Sequence, residues 1–464
     1  MSDIKYKRPE YLSNLPRWKI VDDCVAGMQT TATKEKYIQY AGSAERSADE
    51  IARYSSYVSR SVFYNYILRT ISALVGLATA DKLMFEVGSR LEYAENNIDG
   101  KGTTLLQSVK RTTGRVIAHG RYGVLVDHPA TDSAVTQAQV DDGIFTATAV
   151  GYDAAQIINW GYQKRGGAMV LSLVVLEENI LERGEDGFSM EQVAQYRVLS
   201  LIDNVYTMTV YNENGEYKEP PINPRISSGQ TINFIPFQFF GVSDNDADID
   251  KSIMYDMSVI NVGHLQNSAD YENSLWLCGQ PQPWASGLTE HWVNDVLGET
   301  VLLGSGSFLP LPEGASFGIA QTEPNSQAFE AMGHKEKQMV AMGAKMISAE
   351  GSFDSATEAA INNQGEASFL DSVIDNVTDG YQQVVEWLAA FMGETQYEYA
   401  NPVDLSVYVT NPQLVQQVRE SWLAGMISRA DAQDFMRRHS LIERTNEEID
   451  DLLDNEPVSL ELNA

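Results

Sequence analysis

Residues 250–277 read DKSIMYDMSVINVGHLQNSADYENSLWL, with apolar side chains recurring every three or four positions. That spacing predicts one long helix with an apolar stripe. Gly279 and Pro281 follow at once and predict where the helix ends, because glycine is favoured just past a helix and proline cannot continue one. His264 lies on the apolar stripe, so we expect a packed or hydrogen-bonded core residue there.

The elements after this helix alternate between long helices and short irregular segments. A small mixed insert is predicted at 279–324, and Gly365 and Gly380 are predicted kink points in the last long helix. The remaining predictions are a helix at 326–347, a Gly/Ser/Asp-rich loop at 348–355, a helix at 356–392, a strand at 405–410 and a helical segment at 413–453.

The elements before it combine helices with a β-rich middle. Helices are predicted at 17–26, 44–78 and 104–119, the last ended by Gly120. Strands rich in β-branched and aromatic residues are predicted at 122–126, 145–150, 156–160, 169–176, 196–202, 205–211 and 231–240, with a Pro-rich loop at 219–224. The whole pattern predicts an α+β protein that is mainly helical.

Length and composition restrict the class of protein. The chain has 464 residues, of which 43% are hydrophobic and 9% aromatic, which excludes wholesale disorder. Its length suggests about three structural units. Two cysteines, Cys24 and Cys278, exclude a disulfide scaffold and favour a reducing cytoplasm. The polar start and the short apolar runs predict neither a signal peptide nor a membrane span, so we expect a soluble protein made inside the cell.

Charge is distributed unevenly along the chain. The net charge is −31, yet residues 1–126 carry 18 Lys/Arg against 13 Asp/Glu, and residues 127–464 carry 15 against 51. Between Ser252 and Val418 the Lys/Arg side chains are Lys335, Lys337 and Lys345 alone. This balance disfavours a protein that coats nucleic acid. It is compatible with a solvated acidic surface, and also with an acidic wall that repels a polyanion.

No catalytic or metal-binding motif is complete in the sequence. The Gly100-Lys101 pair is followed by Gly102, so a nucleotide-binding P-loop is excluded. Asp244 to Asp250 begins like a calcium loop, but Ile249 stands where such a loop needs glycine. We interpret these acids as complementing the dipole and supplying the N-cap of the next helix. The sequence therefore predicts no enzyme activity, no metal and no cofactor.

Several stretches, taken in order, are similar to a known family. They are 120–127 (GRYGVLVD), 261–272 (NVGHLQNSADYE), 278–283 (CGQPQP), 337–344 (KQMVAMGA), 423–429 (LAGMISR) and 447–449 (EEI). Together with the order of helix, insert, helix, loop, long helix and helical tail, they resemble the portal proteins of tailed bacteriophages, the head-to-tail connectors that dock terminase. The resemblance covers nearly the whole chain.

The resemblance implies a ring-forming α+β fold with a β-rich wing, two stem helices, a small α/β clip and a helical crown. The implied divisions are wing 1–245, stem helix 246–278, clip 279–324, second stem helix 325–347, tunnel loop 348–356, long wing helix and strand 357–410, and crown 411–464.

The resemblance also implies a function. Such a protein forms a homo-oligomeric ring, expected to be a dodecamer, at a unique capsid vertex of the virion, after assembly in the host cytoplasm. Double-stranded DNA passes through it non-specifically during packaging and ejection. The expected partners are the terminase large subunit, a head–tail adaptor, and the major capsid and scaffolding proteins, with no membrane involved. Two alternatives stay open: another head–tail adaptor or collar ring, and an acidic hydrolase without a recognisable motif.

Three groups of site residues follow from these implied divisions. The DNA-channel candidates are Lys335, Lys337, Lys345, Ser348, Glu350, Ser352, Phe353 and Asp354. The subunit-interface candidates are Ile253, Met257, Ile260, Tyr271 and Leu275. The clip candidates for docking partners are Trp284, Trp292, Phe308 and Phe317. At 100° per residue the three lysines cannot all face one bore, and the alternative is that they pair with Glu330 and Glu336.

Overall fold

The computed structural model describes nine ranges of the chain: 4–40, 47–128, 145–184, 186–280, 282–297, 310–320, 326–347, 356–403 and 412–438. The chain forms two compact units. The first unit comprises Met1–Val21, Arg69–Asp256 and Ala341–Ala464, and the second comprises Asp22–Leu68 and Met257–Val340.

The N-terminal quarter is helical, as predicted, but its long helix is divided. The helices are α1 (Pro9–Val25), α2 (Thr31–Glu35), α3 (Ala48–Arg60) and α4 (Tyr66–Ala78). The prediction of one helix over 44–78 is wrong, because Ser61 turns to an extended backbone at ψ 140°. The side chain of Asn65 then accepts a hydrogen bond from the Leu68 N–H at 2.9 Å and starts α4.

The helix predicted at 104–119, just before the strand predicted at 122–126, is confirmed. After the short α5 (Tyr93–Asn96), α6 (Leu105–His119) begins with a capping box between Thr104 and Gln107. It ends at Gly120, whose φ of 73° is left-handed. A Cβ at Gly120 would lie 2.5 Å from the Asp250 carbonyl oxygen, so only glycine fits there.

Antiparallel sheets form the β-rich part of the first unit. A three-stranded sheet has the order β3–β2–β9, a five-stranded sheet the order β4 to β8, and β1 pairs with β12. The strands are β1 (Met84–Val87), β2 (Arg121–Asp127), β3 (Thr148–Asp153), β4 (Ile157–Arg165), β5 (Ala168–Arg183), β6 (Met190–Ile202), β7 (Val205–Asn212), β8 (Tyr217–Ile222), β9 (Phe237–Gly241) and β12 (Tyr397–Ala400).

Two predictions in this region need correction. The Pro-rich segment 219–224, predicted as a loop, contributes to β8, because β8 is an edge strand and an edge tolerates residues that lack an N–H. The strand predicted at 231–240 is shorter, and only Phe237–Gly241 joins the sheet as β9. The other strands of the β-rich middle are confirmed, and several are longer than predicted.

The long helix α10 (Ala356–Met392) has the predicted bounds and packs against β2, β9 and α6. Tyr381, fully buried on it, hydrogen-bonds through its hydroxyl to Ser108 and Thr112 at 2.7 and 2.9 Å. Gly380, predicted as a kink point, has a different role. A Cβ there would lie 2.2 Å from the Phe240 ring, so the glycine lets this ring approach the helix backbone.

Both units contain further helices and strands. They are α7 (Ile253–Cys278), β10 (Gln282–Ser286), α8 (Glu290–Trp292), β11 (Ser316–Ala320), α9 (Ser326–Ile347), α11 (Pro412–Leu423) and α12 (Arg429–Arg438). Helices α7 and α9 agree with the predicted ranges. The loop 348–355, the strand 405–410 and the tail beyond 438 lie outside the described residues.

Candidate functional site

Two antiparallel helices form the candidate site. We call residues 257–278 of α7 and 326–340 of α9 the helix pair. His264 contacts Glu336, Asn267 contacts Lys335, and the ring of Tyr271 lies 5.7 Å from that of Phe329. Residue numbers rise along α7 as they fall along α9, so the two helices run in opposite directions.

The contact between the two helices includes hydrogen bonds between polar side chains. The buried imidazole of His264 lies with Nε2 3.1 Å from Glu336 Oε1, which confirms the predicted hydrogen-bonded core histidine. Burial lowers the pKa of His264, while Glu336 acts in the opposite direction. Lys335 Nζ donates to Asn267 Oδ1, and its stem crosses α7 at Gly263, where a Cβ would lie 3.0 Å from Lys335 Cε.

Polar side chains of α7 also hold the segment that divides α3 from α4. Asn261 Nδ2 donates to the Tyr64 carbonyl, and the Val62 N–H donates to Ser268 Oγ, both at 2.8 Å. Asn261 and Ser268 are themselves buried. Helix α7 therefore places hydrogen-bonding side chains both where it faces α9 and where it faces the segment between α3 and α4.

Helices α3 and α7 enclose a groove of about 1160 Å³, which we call the α3–α7 groove. The Tyr57 hydroxyl donates to Asp270 at 2.6 Å, and an Arg60 nitrogen donates to Asn273 at 2.8 Å. The Arg60 guanidinium also lies 4.6 Å from the centre of the Trp276 ring. The residues lining the groove include Tyr40, Glu50, Ala52, Arg53, Tyr54 and Leu277.

The insert between the helices folds as a small two-stranded sheet. Strands β10 and β11 pair antiparallel, and Trp284 faces Gly318, where a Cβ would lie 2.8 Å from the indole. Trp284 and Phe317, both predicted for docking, are 47% and 38% exposed. Trp292 is half-buried with its indole nitrogen unpaired within the described residues. Phe308 lies outside them.

The predicted subunit-interface residues differ in exposure. Leu275 is 45% exposed, and Ile253, Ile260 and Tyr271 are half-buried. Met257 is fully buried within the chain. It thus contributes to the core of its own chain and exposes no surface there, which corrects its place in the predicted set.

Sequence reasoning missed two exposed apolar residues of α9. Phe329 and Val340 are 61% and 58% exposed. They are eleven residues apart, which is about 20° beyond three full helical turns, so they share one face of α9. That spacing was visible in the sequence, although only the structure shows that both side chains are exposed and that the Phe329 ring lies beside Tyr271 of α7.

The structure describes the side chains of Lys335 and Lys337 among the channel candidates, and their contacts differ. Lys335 donates to Asn267, and Glu336 contacts His264. The alternative that the lysines pair with nearby carboxylates therefore does not describe Lys335 within the described residues. Lys337 is exposed, with no hydrogen bond or ion pair to any described residue. The side chain of Lys345 is outside the described part of the chain. Ser348, Glu350, Ser352, Phe353 and Asp354 also lie outside it.

The acidic loop before α7 closes on itself. Asp250 Oδ2 accepts hydrogen bonds from the N–H groups of Val242 and Ser243 at 2.6 and 2.8 Å, and Asp246 accepts one from Asp248 at 2.7 Å. These carboxylates therefore stabilise the loop, which corrects the expectation that they cap α7. Over the described ranges, no three His, Cys, Asp or Glu side chains are grouped to hold a metal.

One family model matches part of the chain. A family model described as a domain of unknown function (DUF4055) matches residues 253–392, from the start of α7 to the end of α10. A search of curated proteins finds no match.

Of the helices in the described ranges, none is both long enough and apolar enough to cross a bilayer.

Solved structures similar to the chain come from gene transfer agent (GTA) particles. One, described as the virion of the native GTA particle, is 13% identical with a TM-score of 0.40, covering 90% of this chain and 98% of that one. The neck of the empty particle, with C6 symmetry, is 14% identical with a TM-score of 0.40, covering 80% and 90%. The neck of the native particle, with C12 symmetry, is 13% identical with a TM-score of 0.39, covering 80% and 89%.

Proposed function

We propose that the chain is a portal protein, which forms a ring at a unique capsid vertex and conducts double-stranded DNA during packaging and ejection. The observation that carries this proposal is the helix pair and its insert. Two antiparallel helices are joined by a small exposed sheet and followed by a long helix. This is the order of stem, clip, stem and wing helix that the sequence resemblance implies.

The polarity of the helix pair supports assembly into a ring. Hydrogen-bonding side chains lie between the helices, whereas Leu275, Phe329 and Val340 are exposed. A water-facing apolar surface on a helix is stabilised when another chain covers it. Copies of the same chain, repeated around an axis, would cover this surface in every subunit.

The charge of the helix pair supports a conduit that does not bind DNA tightly. The segment from Ser252 to Val418 holds only three Lys/Arg side chains, and Lys335 is bonded to Asn267. A surface with few free cations releases few counterions and has little affinity for phosphates. DNA would therefore slide past it during translocation.

The proposed partners follow from this role. Terminase would supply ATP hydrolysis, so the portal itself acts without catalysis or a cofactor. The exposed sheet with Trp284 and Phe317 would dock the terminase large subunit and later a head–tail adaptor. The other contacts would be made with the major capsid and scaffolding proteins at the vertex, after assembly in the host cytoplasm.

DNA packaging into procapsids tests the conduit directly. Shortening the loop 348–355 is expected to leave ring formation intact and to reduce packaged DNA. Replacing Lys337 and Lys345 by Ala is expected to alter packaging rate or DNA retention most at low salt, because exposed Lys–phosphate contacts are screened by ions. Full packaging by the loop-shortened chain would contradict the conduit, and rings that never support packaging would favour an adaptor or collar.

A further inference from the structure

Polar side chains join the two larger sheets of the first unit. On the three-stranded sheet, Asp127 and Tyr152 share a face, because Tyr152 pairs with Gly123 and side chains alternate along β2. On the five-stranded sheet, Glu178 pairs with Gln195. The Tyr152 hydroxyl donates to Glu178 Oε1 at 2.6 Å and so links the sheets. We call Asp127, Tyr152, Glu178, Gln195 and Arg197 the intersheet cluster.

One of the two carboxylates in the intersheet cluster is well paired. Besides the Tyr152 hydroxyl, Glu178 accepts hydrogen bonds from Gln195 Nε2 at 2.5 Å. Arg197 Nε donates to it as well, at 2.7 Å. Burial would raise the pKa of Glu178, but these hydrogen bonds outweigh burial and hold the pKa below its ordinary value. Glu178 is therefore stabilised in its charged form.

The other carboxylate, that of Asp127, has weaker partners. Its Oδ2 lies 3.7 Å from Arg197 Nη1, which is beyond hydrogen-bond distance. Arg197 Nη1 donates instead to Met208 Sδ at 3.1 Å. Asp127 Oδ1 accepts one hydrogen bond, from the His128 N–H at 2.9 Å. One guanidinium thus serves two carboxylates, so the intersheet cluster holds more negative than positive charge when both are ionised.

The groups around the intersheet cluster do not correct this excess. The Tyr206 hydroxyl is buried with no hydrogen-bond partner among the described residues, and burial and the Asp127 charge raise its pKa, so it stays neutral. Lys218 donates to Gln195 at 3.1 Å and pairs with Glu182. The charged and titratable side chains near Asp127 and the rest of the cluster are Arg197, Glu178, Tyr152, Tyr206, His128, Lys218, Glu182 and Glu219.

The two carboxylates respond to pH with opposite signs. Burial raises the pKa of the half-buried Asp127 carboxyl; Arg197 opposes the rise, and the charges of Glu178 and Glu219 add to it. The folded chain therefore binds a proton at Asp127 more readily than the unfolded chain, and this stabilises folding as the pH falls. The stabilisation from Glu178, whose pKa is lowered, is instead lost as the pH falls.

We propose that Asp127 is a proton-binding site between the two sheets, and that a proton bound there strengthens their contact. The proton removes the excess negative charge and leaves Arg197 with Glu178 as its carboxylate partner in the cluster. The inference does not rest on the proposed portal function, since all of these residues belong to the first unit of a single chain.

Thermal unfolding of the full chain tests this proton site. Asp127→Asn is expected to raise the unfolding midpoint at about pH 7.5 by about 2 °C or more, because it removes the excess charge at nearly the same volume. The gain should shrink at about pH 5.5, where the unmodified chain takes up the proton itself. Glu178→Gln removes the same charge from the well-paired position and is expected to lower the midpoint at about pH 7.5.

The matched control is Asp203→Asn, in the exposed turn between β6 and β7, where asparagine suits the left-handed backbone at φ 50°. It is expected to unfold like the unmodified chain at both pH values. A midpoint lowered by Asp127→Asn at about pH 7.5 would overturn the inference, because Asp127 would then be a stabilising ion-pair partner.

Infrared spectra of the folded chains give a second measurement that is independent of stability. Between about pH 7.5 and about pH 5.5, the protonated-carboxyl band should grow more in the unmodified chain and in Asp203→Asn than in Asp127→Asn. Equal growth of this band in all three chains would show that Asp127 takes up no proton in this range and would also overturn the inference.

Discussion

Helix α10 and the helix pair differ in the apolar side chains that they leave exposed. On α10, apolar side chains such as Val377 and Leu388 are buried, and the hydroxyl of the one buried tyrosine, Tyr381, has two hydrogen-bond partners. In the helix pair, His264 and Asn267 make polar contacts between the helices. Its apolar side chains are partly buried, as at Met257, and partly exposed, as at Phe329 and Val340.

A core that is complete in one chain differs in this respect from an exposed apolar surface, which a second molecule could cover. A buried apolar face is stabilised by removal from water, by about 25 cal/mol per Å². An exposed apolar face gains this stabilisation only when a second molecule covers it. We therefore expect helix α10 to contribute to folding, and the exposed apolar side chains of the helix pair to contribute to association.

The largest expected effect lies in the α10 region. Replacing Phe240 by Ala removes the ring that lies against Gly380 and leaves a cavity, so the free energy of unfolding should fall by about 4 kcal/mol. Denaturant unfolding of the purified chain measures it. A loss below about 1 kcal/mol would mean that this contact is not part of a close-packed core.

The helix pair itself offers the next contrast, between two apolar residues on α7. Met257→Ala should lower the free energy of unfolding by about 3 kcal/mol, because the side chain is fully buried in its own subunit. Leu275→Ala, at an exposed position, should change it by less than about 0.5 kcal/mol in the dissociated chain and should weaken assembly instead. If Met257→Ala and Leu275→Ala lowered the free energy of unfolding equally and weakened assembly equally, the distinction between a core residue and an interface residue would be lost.

The first unit also contains a buried cation, the guanidinium of Arg121. Arg121 is sandwiched between Trp160 and Phe239, with its guanidinium carbon 3.8 and 4.8 Å from the two ring centres, and its nitrogens have no hydrogen-bond partner among the described residues. Burial lowers its pKa to about 9. Arg121→Met should raise the free energy of unfolding by about 1 kcal/mol, because it removes an unpaired buried charge at similar volume. A fall would show that the aromatic contacts outweigh the cost of burial.

The smallest expected effect is the pH dependence of the polar contact in the helix pair. Burial lowers the pKa of His264 below its ordinary value, so the unfolded chain binds the proton more readily than the folded chain. The free energy of unfolding should thus fall as the pH drops below about 6.5 and stay level above it. His264→Gln should remove this component, and an unchanged pH profile would contradict it.

The helical periods predicted α6, α7, α9 and α10 closely, because each has its own apolar spacing and end signals. The break between α3 and α4 was not predictable, since Asn261 and Ser268 hold it from 197 and 206 residues away in sequence. The edge position of β8 likewise depends on strand order. In the site, the sequence placed three lysines on α9, but the choice of Asn267 on another helix over a nearby carboxylate as the partner of Lys335 is a tertiary one.

We propose that copies of this chain cover the exposed apolar side chains of the helix pair around an axis. Electron micrographs of the purified full chain test this most directly. Rings of about twelve copies with an axial channel are expected, which is the closed symmetry of a head-to-tail interface. Monomers or dimers at the same protein concentration would contradict it.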